Sequence, residues 1–280
     1  MRDSHRSIQL LIFLALAFAS PSLHAQDSFI DRWQARATAI QAEQPHWVTP
    51  LVTVTPRLEQ EFRTDFVRQI TSAHTTTWNY GNAKGLELIP FKPVELIFNV
   101  PPYIQHNTTA HDGFGDTTFL LKYRIFSRNE ENGNYIVTAF IGGSVPTGSY
   151  KNGSVAATIT PTLAVGKGFR NFDVESTAGA ALPASNTSAL GRPVAWNTTL
   201  QAKLDKFLWP EVEFNTTFFE GGPNDGKITN FVTPGIILGR FHLSKAHPRL
   251  GATFGFGEQI ATSAFHTTNH NLVFTGRIPF

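Results

Sequence analysis

From Leu58 to the end of the chain, apolar and polar residues alternate in short runs. Phe62 and Phe66 oppose Glu59, Glu61, Arg63 and Asp65, and Phe119, Leu121, Tyr123 and Ile125 oppose Asp116, Thr118, Lys122 and Arg124. Val194, Trp196, Leu200 and Leu204 stand against Asn197, Gln201, Lys203 and Asp205, and Val212, Phe214 and Phe218 stand against Glu211, Glu213, Asn215 and Thr217. Successive side chains of a β-strand point to opposite faces, so each run reads as a strand with one apolar and one polar face. The runs predict strands at 58–70, 74–90, 93–105, 113–127, 134–147, 155–168, 171–184, 191–206, 209–221, 228–241, 248–260 and 269–280. That makes twelve. Ten or fourteen stay open, because residues 81–85 read either as a bulge within the second strand or as a turn dividing it.

A soluble sandwich and a membrane barrel both alternate. The sandwich hides its apolar rows between two sheets, whereas the barrel turns them to lipid and encloses the polar rows. The N-terminal residues favour the barrel: two arginines in the first six residues, an apolar run over 10–19 and a small residue at Ala25 form a signal-peptide pattern. No later stretch reaches 18 apolar residues, so no transmembrane helix is predicted. The expected fold is all-β, a closed antiparallel transmembrane β-barrel, with a signal peptide at 1–25, a periplasmic segment at 26–57 and the barrel at 58–280. Within 27–44, Phe29, Trp33, Ala37 and Ile40 recur at helical spacing without Gly or Pro. This segment reads either as a short amphipathic helix at the periplasmic mouth or in the lumen, or as a poorly ordered leader.

Composition removes several functions. With no cysteine, thiol nucleophiles, thiolate metal sites and disulfides are excluded. A formal charge of only +2 argues against a nucleic-acid partner. His266 and His270 lie near Ser263, but neither GxSxG nor HExxH occurs, so no enzyme activity, metal or organic cofactor is expected. The charged rows instead nominate a lumen. Its wall would carry Glu59, Glu61, Asp65, Glu95, Asp116, Asp173, Glu175, Glu211 and Glu213 against Arg63, Lys122, Arg124, Lys203 and Arg277. Such mixed signs either brace the wall in pairs or form a constriction that selects solutes. Trp78, Tyr80, Trp196, Trp209 and Phe280 fall near strand ends and are expected in the interfacial aromatic girdles, with Trp78 equally able to point inward.

Two motifs add a resemblance. Gly113-Phe-Gly-Asp-Thr-Thr-Phe-Leu-Leu-Lys-Tyr-Arg124, followed by Phe140-Ile-Gly-Gly-Ser-Val-Pro-Thr-Gly148, resembles the hallmark of the outer-membrane transporters grouped as the MetA-pathway of phenol degradation family. The residues that match are Gly113, Gly115, Asp116, Lys122, Tyr123, Arg124, Pro146, Thr147 and Gly148. The terminal aromatic, Phe280, likewise resembles the end of the last strand in bacterial outer-membrane barrels. The resemblance implies a channel or transporter in the bacterial outer membrane for small hydrophobic or aromatic solutes. It would be a monomer in contact with outer-membrane lipids and folded by the barrel-assembly machinery. A structural or partner-binding barrel without solute flux is the alternative.

Overall fold

The computed structural model describes residues 28–280, so the predicted signal peptide lies outside the described residues. The chain divides into two units, Met1–Trp33 and Gln34–Phe280. Helix α1 occupies Phe29–Ala42. A reciprocal cap starts it: the Asp31 N–H donates to Ser28 Oγ at 3.1 Å, and the Ser28 N–H donates to Asp31 Oδ2 at 3.1 Å. Pro45 lacks the N–H that another turn would need.

The strands of Gln34–Phe280 form one closed antiparallel barrel of twelve staves. They are β1 (Glu61–Ile70), β2 (Thr76–Gly81 and Gly85–Phe91), β3 (Val94–Asn99 and Tyr103–His106), β4 (Gly113–Phe114 and Thr117–Arg128), β5 (Tyr135–Val145) and β6 (Thr158–Phe169). The others are β7 (Phe172–Ala180), β8 (Val194–Ala202), β9 (Leu208–Phe218), β10 (Ile228–His242), β11 (Gly251–Ala261) and β12 (His270–Pro279). Sequential staves pair, and β12 closes the wall on β1 from Glu61↔Pro279 to Ile70↔His270. Both barrel termini therefore lie at one mouth, the terminal mouth. Residues 82–84 do not divide β2, because both of its segments pair with β1. The first stave begins at Glu61 rather than at residue 58.

Alternation sorts the wall as a membrane barrel requires. Phe62, Phe66, Phe119, Leu121, Ile141, Leu163, Phe214, Phe256 and Phe274 are exposed outside, while Glu61, Arg63, Asp65, Lys122, Glu213 and Arg277 are buried inside. No described helix is long and apolar enough to cross a membrane. Two girdle and lumen expectations need correction. Trp209 is buried and packs with Trp47 and Ile237 in the interior, because it shares strand parity with Glu211 and Glu213. Lys203 lies beyond the end of β8, exposed at the terminal mouth, with its ammonium 5.4 Å from the centre of the Trp209 ring rather than on the lumen wall itself.

Candidate functional site

A loop inside the barrel organises the charged interior. After helix α1, residues 45–57 enter the lumen and return. The Gln44 side chain staples the neck, donating from Nε2 to the Leu58 carbonyl at 2.8 Å and accepting the Leu58 N–H at 3.0 Å. With prolines at 45, 50 and 56, this segment cannot join the wall as a strand. Its backbone groups are nevertheless buried and need partners. The wall side chains supply them.

On β9, Glu211 accepts the Leu51 N–H at 3.0 Å, and Glu213 accepts the Val52 and Thr53 N–H groups at 2.7 and 2.6 Å. Arg63 on β1 donates to the Leu51 carbonyl at 2.6 Å while Asp65 holds its guanidinium through two hydrogen bonds of 2.9 Å. Thr275 on β12 donates to the same aspartate at 2.6 Å. Arg277 reaches the Thr49 carbonyl and donates to the Pro50 carbonyl at 2.7 Å. Lys122 on β4 donates to the Arg57 carbonyl at 3.1 Å and pairs with Glu95 at 3.0 Å, and Glu95 accepts the Glu59 N–H at 2.6 Å. Arg124 donates to the Ile40 carbonyl at 2.8 Å and pairs with Glu43 at 3.1 Å. Hydrogen bonds to ionised groups contribute about 1.5–3 kcal/mol each when well formed, so these contacts together hold the loop firmly.

Apolar packing completes the seat. Leu51 lies over a glycine cradle on β10 and β11: ideal Cβ atoms at Gly235, Gly255 and Gly257 would fall 2.4, 2.6 and 2.5 Å from its methyl carbons. Trp47 uses Gly166 in the same way, at 2.6 Å. Small residues in the wall thus make room for large ones on the loop. A cavity of about 280 Å³ lies on the far side of the loop, bordered by Thr49, Val54, Thr55 and by Arg63, Lys84, Glu87 and Lys122. A second, of about 160 Å³, opens towards the terminal mouth beside His46, Arg57, Glu59 and Arg240. Thr49 borders both, and the loop separates them.

At the terminal mouth, the turn after β4 clamps the loop entrance. The His46 N–H donates to Glu130 Oε1 at 2.5 Å, and the His46 ring Nδ1 lies 2.8 Å from Oε2. Partial burial pushes the Glu130 carboxyl up, but the His46 hydrogen bonds and charge outweigh it and hold the group below its ordinary value.

Of the fourteen luminal candidates, Glu59, Arg63, Asp65, Glu95, Lys122, Arg124, Glu211, Glu213 and Arg277 meet around this loop and its neck, and Asp173 and Glu175 are buried on β7. Glu61 is buried lower on β1. Asp116 does something different at the opposite mouth, where it accepts the Gly148 N–H at 2.9 Å and the Ser154 N–H at 2.7 Å. The Thr117 N–H donates to Thr147 Oγ1 at 2.8 Å, and the Gly115 N–H to the Pro102 carbonyl at 2.8 Å. Gly113 and Gly148 sit where side chains would strike Ser149 and Gly153, and Pro146 is exposed in the same loop. The two motif halves therefore clasp the 145–158 connection. Phe280 closes the ring at the terminal mouth, its N–H donating to the Gln60 carbonyl at 3.2 Å and its carbonyl accepting from Arg249 at 3.0 Å.

Sequence alternation missed Arg57, Arg240, Lys84 and Glu87. A bulge between Gly239 and Phe241 turns Arg240 inward, where it donates to the Trp47 carbonyl. The interruption at 82–84 masks the parity of Lys84 and Glu87. The alternation Gly85, Glu87, Ile89 against Leu86 and Leu88 held the signal for Glu87. Near the opposite mouth, His266 Nδ1 lies 2.8 Å from the Ser263 carbonyl rather than its hydroxyl, and His270 pairs with Glu258.

The family model described as "Putative MetA-pathway of phenol degradation" matches residues 50–224, more than half of the chain. Among solved structures, the COG4313 outer membrane channel from Pseudomonas putida F1 is similar, with TM-score 0.57 and 14% identity, covering 84% of this chain and 100% of that one. The NanC porin is similar with TM-score 0.50 and 9% identity, covering 78% of this chain and 98% of the porin. No curated protein matches. At these identities the likeness is one of fold. A closed barrel of this kind, apolar outside and charged within, belongs in the bacterial outer membrane.

Proposed function

The chain belongs to the family described as "Putative MetA-pathway of phenol degradation", and from that premise we propose that it is an outer-membrane channel for small hydrophobic or aromatic solutes, closed at rest by loop 45–57. The observation that carries this reading is the way the loop is held. It is an irregular segment seated by side chains between two cavities, not a strand of the wall. Such a stopper can leave without breaking the ladder that closes the barrel. Its removal would join the cavities into one passage with partly polar walls. In this reading the terminal mouth faces the periplasm, residues 1–25 are a cleaved signal peptide, and the chain works as a monomer after folding by the barrel-assembly machinery. Its inward charges hold the stopper.

Purified protein in liposomes tests this. The chain lacking residues 27–57 should admit phenol, benzoate and a small sugar faster than vesicles without protein, and the full chain should admit them more slowly than the truncated one. Phenol crosses lipid unaided, so the polar solutes carry the comparison. The dense clamp on loop 45–57 also favours a second reading, a sealed structural barrel. Absence of flux through correctly inserted truncated protein would establish that alternative.

A further inference from the structure

The inner bases are held by close partners, four by carboxylates and Arg240 and Arg277 by loop carbonyls. Arg63 pairs with Asp65, Lys122 with Glu95, Arg57 with Glu59 and Arg124 with Glu43. Lys84 departs from that pattern. It borders the 280 Å³ cavity beyond the loop, yet among the described residues its ammonium has no ion pair within 4.0 Å and no hydrogen bond. The wall makes an unusual detour to put it there. β2 breaks after Gly81, and three consecutive residues, Gly81, Asn82 and Ala83, take positive φ angles of 94°, 44° and 50°. A non-glycine residue in that region carries strain, and the chain accepts it twice. The turn is pinned by the Asn82 N–H donating to Asn79 Oδ1 at 3.0 Å and by the Lys84 N–H donating to the Gly81 carbonyl at 2.9 Å. A regular strand would have continued past this point and spared the strain.

We propose that Lys84 is an anion-recognition residue, and that the cavity beyond the loop holds small carboxylate-bearing solutes with the carboxylate on the Lys84 ammonium. Resting on the channel reading above, this names its preferred solute class: aromatic and other small organic acids rather than neutral aromatics. The rest of the lining suits that class. Thr118, Ser144, Thr158 and Thr160 offer hydroxyl donors, while Ile97, Leu120 and the methylene faces of Gly142 and Gly143 leave room for an apolar body. Glu87 also borders the cavity, buried and without a hydrogen bond or ion pair among the described residues, within electrostatic range of Lys84. Asp65 lies in the same range but is held by Arg63, so Glu87 is the unpartnered carboxylate set against the anion.

The test is calorimetric titration of the full chain in detergent micelles with benzoate, beside benzyl alcohol as a neutral analogue of similar size. Benzoate should bind about tenfold more tightly than benzyl alcohol and weaken as salt is raised. Lys84→Met should lower benzoate affinity about tenfold with benzyl alcohol unchanged, and Lys84→Arg should keep most of it. Glu87→Gln should raise benzoate affinity, which gives a reading even if Lys84→Met fails to fold. Equal binding of benzoate and benzyl alcohol overturns the proposal. So does unchanged benzoate affinity in folded Lys84→Met, or no gain in Glu87→Gln. Benzoate binding without flux in liposomes would sink the channel reading alone, and flux without benzoate preference would sink the anion site alone.

Discussion

Replacing Leu51 by alanine weakens the stopper without touching a charge. Leu51 is 1% exposed, and its methyls rest on wall glycines within a packed apolar cluster that includes Val67, Ile237 and Val273. Truncating a buried leucine costs about 2–5 kcal/mol. The ladder that closes the barrel is untouched, so that loss falls on loop docking. The ratio of seated to released loop should drop roughly 30-fold to a few thousand-fold. Gly235→Ala attacks the same contact from the wall: its new methyl would lie 2.4 Å from Leu51 Cδ1, whereas its next neighbour stands at 3.4 Å. Planar-bilayer recordings should show a larger open fraction for each single variant. The double variant should open less than the two effects summed, because the alanine at 235 occupies space that Leu51→Ala vacates. Heat-modifiable gel migration verifies that each barrel is folded. Wild-type currents from both folded single variants would mean that this loop does not close the pore.

On the outer face, Leu121→Arg should cost roughly 2–4 kcal/mol of insertion free energy, read from folding titrations in lipid vesicles, if the site is near mid-bilayer. A wild-type titration would place Leu121 away from lipid. Deleting Phe280 should lower the yield of folded barrel in a Gram-negative host more than deleting residues 27–44 does, since it ends the closing stave; equal yields would refute this. Glu130 contributes a pH dependence. Its folded pKa is depressed, so its clamp on His46 is fully present above the ordinary glutamate range and is lost as pH falls through the folded value. The His46 amide resonance should therefore shift on acidification below about pH 4.5, the ordinary glutamate value, and the shift should be absent in Glu130→Gln. A titration unchanged by that substitution would remove Glu130 from the clamp.

The wall was legible because a period of two survives in almost every stave, as in Phe119, Leu121 and Tyr123 against Thr118, Lys122 and Arg124. It failed where one extra residue flips the faces. The bulge between Arg124 and Phe126 turns Ser127 inward to the Glu43 carbonyl, and the one at Gly239 does the same for Arg240. Trp209 was misplaced by its position at a strand end, although its parity with Glu211 pointed inward. The inward carboxylates could be read, but not what they hold. Their partners are backbone N–H groups of residues 51–53, and a loop recognised through its main chain leaves no side-chain pattern. The two glycine motifs were legible as a family mark, and their job as a loop clasp required seeing Asp116 beside Gly148 and Ser154.

The chain's lack of cysteine permits a direct lock on the stopper. Thr53 Oγ1 at the loop tip lies 3.5 Å from Asn215 Nδ2 on the wall, so Thr53→Cys with Asn215→Cys puts one thiol on the loop and one on the stretch of wall it touches. In planar bilayers, this double variant with Leu51→Ala added should pass current when reduced and fall silent when oxidised, and do so repeatedly in the same membrane. Currents identical in the two redox states, with the disulfide verified by mass, would contradict a channel closed by loop 45–57.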